Sequence, residues 1–455
     1  MFDFLHHGSN SRQKEKERER TKKTLQKLPI KVENNEAGKS LRPSASNRPR
    51  LVHVEAMKKK FEALLQQVPL EKICWSLECN SWITETRTFY LFNEVGEYML
   101  LQFAYTNSGW LKASCQISAG YFDCRQANEK LHIWRTCGKL KRPREKKDPN
   151  RGLDGHVSET NNYSASKIKM SESKCSIKIT NAEIRIVGPE LKQGQHDIPG
   201  GKLSGQHKRK GFRFLVEGGI LGVDLILEAE HDAIQFGEGN IKFGVDQDEG
   251  FIHMKFLPCL KVAGSISIND VSRTWMGVGF GVHQIQGVRP NQVADRWTLG
   301  LFISDKDHKG KQVILFMLQV LTSSTYGSET VNYGIFYENN KVQALGLKGK
   351  IKVEEPLVDP PSDYEVPQRL TFYWNCTKAD DSGFTAECSI QPKTLVDRIN
   401  LLELLPFIMR KVVETFVTKP YIYQWLDRAT AQVDGERKLD GWLLTELSLL
   451  NSCDD

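Results

Sequence analysis

Eleven residues from Trp82 to Phe92 alternate strictly between two sets: Trp82, Thr84, Thr86, Thr88, Tyr90 and Phe92 on one side, Ile83, Glu85, Arg87, Phe89 and Leu91 on the other. A period of two belongs to a β-strand, and β-branched and aromatic side chains suit its pleated surface. Such a strand needs partners along its edges, and the chain supplies them. Strand candidates follow at 98–105, 176–186, 212–216, 223–227, 254–256, 275–285, 297–303, 313–321, 330–337, 369–376 and 384–390, with a final pair at 420–433 and 442–450. Ile177 and Ile179 are out of phase with Ile184 and Ile186, which requires a bulge or tight turn near Asn181. Gly218-Gly219 supplies a hairpin turn. Short strands at this density predict a sandwich or barrel.

Two helices are expected beside the strands. Val54, Met57, Phe61, Leu64, Leu65 and Val68 recur every three or four residues around Lys58-Lys59-Lys60, and Pro69 ends the segment. This amphipathic helix docks on the domain that follows it or lies on a membrane surface. Near the C-terminus Thr394 and Asp397 form a capping-box pattern. Ile399, Leu402, Met409, Val412 and Phe416 then mark the stripe of one long helix, kinked at Pro406.

The length of 455 residues fits two or three domains. Glycines at 237 and 239 and the polar run 246–250 interrupt the strand pattern. The expected organisation is a disordered basic tail at 1–50, a first β domain at 51–250 with exposed loop insertions at 139–169 and 188–210, and a second β domain at 251–455. The tail carries the charge: 13 Lys and Arg against 6 Asp and Glu in the first 50 residues, against a net +7 for the whole chain. A nucleic-acid-binding surface would hold its basic patch on a folded domain, so no nucleic-acid partner is expected. The tail reads as solvated, with a nuclear localisation signal or an anionic-membrane tether as its functional alternatives.

Mean hydropathy of −0.44 and the lack of any long apolar run exclude a spanning helix. The first residues do not make a secretory signal. Ten cysteines contain no CxxC pair and no Cys/His ligand spacing, which leaves no metal site or cofactor to expect and makes reduced thiols in the cytosol the default. Nucleophile-elbow, zinc-protease and phosphate-loop spacings are all missing. Gly277-Val278-Gly279-Phe280-Gly281 does not fit a dinucleotide fingerprint; glycines inside a strand permit curvature, a bulge or close approach of another backbone. The faces Thr84-Thr86-Thr88-Tyr90 and Tyr333-Ile335-Tyr337 mix hydroxyls with aromatics. They line a ligand cavity or face solvent.

Several short segments carry a family likeness. Glu85–Phe92 with Gln102–Ser108, the stretch Gly277–Gly287, Ala294-Asp295-Arg296-Trp297, Thr325–Val331 and Lys419–Gln424 together resemble, in order and spacing, the fungal survival factor 1 family. The resemblance implies an all-β fold of two lipocalin-like β-barrel domains packed in tandem, with the long helix near the C-terminus. It also implies a non-enzymatic intracellular lipid-binding protein that handles ceramide or a related sphingolipid between endoplasmic reticulum and Golgi and supports survival under oxidative stress. The expected location is the cytoplasm or nucleus, with peripheral contact to those membranes. Met1–Gly8 resembles the start of the family's membrane-binding segment, after which the sequence departs from it. Trp275, His283, Trp297, Tyr326 and Tyr333 are the candidate ligand-binding residues, the aromatics as walls and His283 as a polar contact. The architecture is also similar to that of bacterial carotenoid hydratases. That alternative needs a buried acid to protonate an alkene, for which Asp224, Asp295 and Glu329 are of the right type.

Overall fold

The computed structural model describes residues 61–77, 82–108, 113–127, 156–174, 176–179, 182–187, 210–244, 250–288, 294–360, 362–401 and 420–450. These residues hold two sheets. The first is built from β1 (Leu65–Val68), β2 (Trp82–Phe92), β3 (Glu97–Ser108), β4 (Ser114–Asp123), β5 (His156–Ser164), β6 (Lys169–Met170), β7 (Ser176–Ile179), β8 (Ala182–Val187), β9 (Gly211–Val216), β10 (Leu221–Ala229), β11 (Ala233–Phe236), β12 (Asn240–Phe243), β13 (Gly250–Ile268) and β14 (Val271–Gln286). The second comprises β15 (Ala294–Ser304), β16 (Ile314–Thr322), β17 (Thr330–Glu338), β18 (Lys341–Gly346), β19 (Lys350–Asp359), β20 (Tyr364–Lys378), β21 (Gly383–Ile390), β22 (Leu395–Asn400), β23 (Tyr421–Val433) and β24 (Arg437–Leu449).

The two sheets close differently. The first runs β5-β4-β3-β2-β14-β13-β10-β9-β8-β7-β6, a path with two ends. It rolls until β5 reaches the turn before β10, where Glu159 accepts hydrogen bonds from the Ile220 and Leu221 amides at 2.9 and 3.5 Å. A side chain thus spans a gap that no backbone ladder fills. In the second sheet β18 pairs with β17 and also with β20, through Ala344↔Lys378 and Leu345↔Thr377, so eight strands form a ring. Ring closure removes the free edges that invite foreign strands.

Strand pairing corrects several expectations. The changeover between sheets falls between Gln286 and Ala294, not near residue 250: β13 and β14 pair with β10 and β2 and so complete the first sheet. His156–Ser164, inside the expected 139–169 loop, is strand β5 on β4. The rest of that insertion up to residue 155 lies outside the described residues, as do residues 188–209 of the second insertion, the 1–50 tail and residues 51–60 of the first helix. Of that helix, Phe61–Leu64 is helical, and Leu65–Val68 is instead a strand held by β11. The long C-terminal helix is not supported. Its expected start, Leu395–Asn400, is strand β22 on β23, while Leu402, Pro406, Met409, Val412 and Phe416 lie outside the described residues. Asp397 is therefore a strand residue and not part of a helix cap. On either side of the phase break β7 and β8 pair antiparallel; Asn181 itself lies outside the described residues.

Alternation along β2 explains how the layers stack. Ile83, Phe89 and Leu91 point into the roll of the first sheet, where they meet Phe103, Phe212, Phe214 and Leu225. Tyr90 and Phe92 point out of it, into a core shared with the second sheet. Phe280 of β14 stacks on Phe316 of β16 there, with ring centroids 4.3 Å apart. A third core fills the ring of the second sheet around Phe372, Trp374, Phe336 and Phe384. The glycine run in β14 serves close approach, as its pattern predicts: a Cβ on Gly277 would stand 2.1 Å from the Phe92 carbonyl oxygen. Opposite it, β13 breaks register between Leu257 and Leu260, which accommodates Pro258 inside a strand.

Candidate functional site

Where the outer face of the first sheet meets β22, β23 and β24, the junction leaves a cleft of about 270 Å³. Its floor is set by register. Thr88 lies beside Gln102, Gln102 beside Ser118, and Ser118 beside Thr160, which gives a hydroxyl-and-amide row across four strands. Gln102 Nε2 donates to Thr88 Oγ1 at 2.8 Å, and the Ser118 and Thr160 hydroxyls are 3.1 Å apart. The parallel row through Tyr98, Phe122 and His156 is aromatic. Between the two rows Gly120 follows Leu100, and a Cβ there would meet nothing closer than 3.9 Å. The floor thus grades from aromatic to hydroxylic over four residues of each strand.

The facing wall carries a second row. Asp397 of β22, Gln424 of β23 and Glu446 of β24 are register neighbours. Gln424 Nε2 donates to Glu446 Oε2 at 2.7 Å, and the Tyr90 hydroxyl reaches the same oxygen at 3.5 Å. His156 Nε2 stands 3.7 Å from Asp397 Oδ2. The Tyr98 hydroxyl is buried and has no hydrogen-bond partner among the described residues. An unsatisfied buried hydroxyl costs about 1–3 kcal/mol, so a ligand group that pairs with it is favoured by a comparable amount.

Low polarity shapes the charges here. Burial pushes the Glu446 carboxyl up, against hydrogen bonds from Gln424 and Tyr90 that pull it down. Burial also raises Asp397, opposed by the His156 charge. The same burial lowers His156. Tyr90 and Tyr98 are raised far above the usual phenol value by burial and then by the Glu446 charge, so both remain protonated. Every shift favours the neutral form of its group.

Other places are less suited. A wider groove of about 1100 Å³ lies between Glu94 and Val95 on one side and Met276 and Lys306 on the other. Most of its charges are matched, Lys306 with Glu94, Lys261 with Glu230 and Asp305 with Arg428, while Lys311 donates to the Asn339 amide oxygen. Inside the first sheet Glu85, Arg87 and His283 are buried together. His283 Nε2 lies 2.8 Å from Glu85 Oε1. Glu85 accepts the Ser76 and Leu77 amides at 2.9 and 2.8 Å, while Arg87 donates to the Ile73 carbonyl and lies 3.9 Å over the Trp75 ring. These charges bind the 70–77 segment into the mouth of the roll. Burial and the Arg87 charge push His283 down to about 4, which makes Nε2 the donor of a neutral imidazole. Burial raises the Cys115, Cys259, Cys376 and Cys388 thiols to about 12, so none of them is a nucleophile at neutral pH. Among the described residues no three His, Cys, Asp or Glu side chains are placed to hold a metal ion, and no helix is long and apolar enough to cross a membrane.

The five residues singled out by sequence do not gather at one place. Trp275 and His283 share the inner face of β14, about 26 Å apart at strand spacing, inside the first sheet. Tyr326 and Tyr333 are in the shared core, edge-on to Phe243 and Phe236 at 4.8 and 5.1 Å, and Trp297 packs against that core. None of the five lines the cleft. Thr88 and Tyr90, from the face read as cavity wall or solvent surface, do line it. The three candidate acids are elsewhere too: Asp224 is clamped by Arg213 through two bonds of 2.8 Å, and Asp295 and Glu329 line neither this cleft nor the wider groove. Sequence reasoning missed Glu446, Gln424 and Asp397. The first two were signalled by an acid or amide side chain set among mostly apolar strand neighbours, as in Leu443-Leu444-Thr445-Glu446-Leu447.

Fold and cleft define an all-β protein of two packed antiparallel sheets with a largely neutral, hydrogen-bonding cleft at their junction. The chain belongs to the Svf1 family, whose model matches residues 39–450. It is 24% identical over 384 residues to a Neurospora crassa protein named ceramide-binding protein svf-1, a match that covers 82% of this chain and 87% of that one. It is 27% identical over 239 residues to ceramide-binding protein SVF1 of Candida albicans, over 50% of this chain and 61% of that one. Among solved structures, kievitone hydratase from Nectria haematococca superposes with a TM-score of 0.46 at 10% identity, over 89% of this chain and 98% of the hydratase.

Proposed function

We propose that this chain binds ceramide or a closely related sphingolipid, with the headgroup seated in the cleft between the two sheets. The observation that carries this reading is the floor itself, a graded surface of aromatic and hydroxylic rows beside a buried Tyr98 hydroxyl that lacks a partner. A ceramide head presents hydroxyls and an amide, each able to donate and accept, and carries no charge. Those groups match Thr88, Gln102, Ser118 and Gln424. Leu100, Phe122 and Ile422 offer apolar contact to the chains, at about 0.8 kcal/mol for each methylene removed from water. The names of the relatives point to the same lipid class. We read the two units as lipocalin-like barrels in tandem that hold the ligand between them, because aromatic side chains and the 70–77 segment occupy the interiors. The protein works in the cytoplasm, meets endoplasmic reticulum and Golgi membranes peripherally to exchange its lipid, and supports survival under oxidative stress. Lipid extraction and mass spectrometry of full-length protein purified from a eukaryotic host test the reading. A near-stoichiometric sphingolipid is expected; protein that emerges empty and then takes up no ceramide overturns it.

A second reading has one observation behind it, the raised Glu446 carboxyl beside Tyr90. A protonated Glu446 gives its proton to one alkene carbon of an isoprenoid, water adds to the other, and the water's surplus proton returns to the carboxylate. Incubation with an alkene panel and product analysis decides it: a gain of one water that Glu446→Gln abolishes supports the enzyme, and no product removes it.

A further inference from the structure

We propose that the cleft selects uncharged sphingolipid heads against phosphorylated ones, and that the Asp397–Gln424–Glu446 row is the element that excludes phosphate. The proposal rests on the carrier reading above and adds a specificity that the reading does not contain. Its basis is the placement of charge. Sites that take phosphate surround it with arginine, lysine or converging backbone amides. Among the described residues that line this cleft, Arg398 is the one arginine or lysine. Its Nη1 is bound to Asp359 Oδ1 at 3.1 Å. The wall instead presents two carboxyl groups on adjacent register positions with an amide between them.

Geometry makes that wall complementary to a hydroxyl. Glu446 Oε2 receives Gln424 and Tyr90, while no described residue pairs with Glu446 Oε1. Tyr98, whose buried hydroxyl has no described partner, lines the same cleft. A ligand hydroxyl seated there meets a group that accepts and a group that donates. A phosphate finds no cation there beyond the Asp359-paired Arg398, and wherever Glu446 or Asp397 is ionised it meets a like charge in a place poor in water. Discrimination by a built-in repulsive element is more effective than discrimination by contact alone. Asp397 Oδ1 accepts the Arg398 amide at 2.7 Å. Glu446 differs from it and from Glu85: its described partners are the Gln424 and Tyr90 side chains alone, with no backbone amide or cation.

Competition binding with full-length protein tests the proposal. A fluorescent short-chain ceramide is displaced by unlabelled ceramide or by ceramide 1-phosphate of the same chain length. The phosphorylated competitor is expected to be at least about tenfold weaker, and Glu446→Gln is expected to narrow that ratio severalfold by removing one repulsive group. Asp397→Asn, on a different strand, moves the ratio the same way and keeps the test open if the first variant fails to fold. Equal competition in the wild type, or a ratio unmoved in both variants while labelled ceramide still binds, overturns the proposal. Failure of the wild type to take up labelled ceramide is a different result and removes the carrier reading itself.

Discussion

Two polar clusters lie deep in this molecule, and they differ in where their hydrogen bonds go. In the first sheet the charges of Glu85 and Arg87 are answered by the chain's own backbone at Ser76, Leu77 and Ile73. At the junction of the sheets Glu446 is answered on one oxygen only, and the Tyr98 hydroxyl has no described partner. Burial is equally deep at Arg87 and Tyr98, each 1% exposed. What separates the two clusters is what holds the acid: fixed backbone amides at Glu85, side chains alone at Glu446. A buried charge whose partners are fixed backbone groups fixes a segment in place. A buried polar group left open keeps a position for something that is not part of the chain.

The comparison is tested hardest at Glu85. Replacement by Ala removes the partner of His283 Nε2 and the negative charge near Arg87 and frees two amides of the 70–77 segment, so unfolding in denaturant is expected to show a loss of about 3–5 kcal/mol. A change below about 1 kcal/mol would mean that the inner cluster is no more structural than the cleft.

Acid sharpens the same point. His283 is held down to about 4 by burial and the Arg87 charge, against an ordinary value of 6.5. Between those two values the unfolded chain binds a proton that the folded chain refuses. Stability therefore falls as pH drops through this window, by about 3 kcal/mol for this residue alone. The Glu85 carboxyl, raised by burial but held below its ordinary value by His283, adds a loss only further down the pH scale. His253 is also lowered to about 4 by burial. Unfolding measured from pH 7 to 4.5 is accordingly expected to show a slope that His283→Gln reduces and does not abolish.

At the cleft the sign reverses. Burial disfavours the Glu446 carboxylate, so Glu446→Gln, which retains shape and amide contact, is expected to stabilise the folded protein at pH 8 by about 1 kcal/mol while it disturbs lipid selection. A thermal shift read beside the competition assay checks it. Destabilisation comparable to that of Glu85→Ala would place both clusters in one class.

Much of this contrast was written in β2 and some of it elsewhere was not. Strict alternation gave the strand, and the odd face showed two charges, Glu85 and Arg87, among Ile83, Phe89 and Leu91; that both are buried is a finding of the structure. The even face gave Thr88 and Tyr90 as cavity wall or solvent surface, and only the packing of β22, β23 and β24 over it decides between the two. Asp397 stayed hidden for a local reason. Ile399 and Leu402 fit a helical stripe as well as a strand edge, and it takes the ladder from β23, paired from Tyr421 to Trp425, to settle β22 as a strand. The aromatic candidates Trp275, Trp297, Tyr326 and Tyr333 were read as cavity walls; three are buried and Trp297 is partly buried, and periodicity cannot tell which core a ring enters.

The smallest expected effect is the most discriminating. Tyr98→Phe removes one oxygen from a buried ring and leaves its packing against Phe92, at 5.3 Å between centroids, in place. If that hydroxyl served the fold, its loss would cost about 1 kcal/mol, as for an ordinary buried hydrogen bond. Because it has no described partner, the expected change in stability is zero to a slight gain, of the order of a few tenths of a kcal/mol. Ceramide affinity is expected to fall about three- to tenfold in the same variant, since the ligand then loses a donor that nothing else in the wall replaces. Stability and affinity that fall together would assign Tyr98 to the core, and the open hydroxyl would cease to distinguish the cleft from the filled roll beside it.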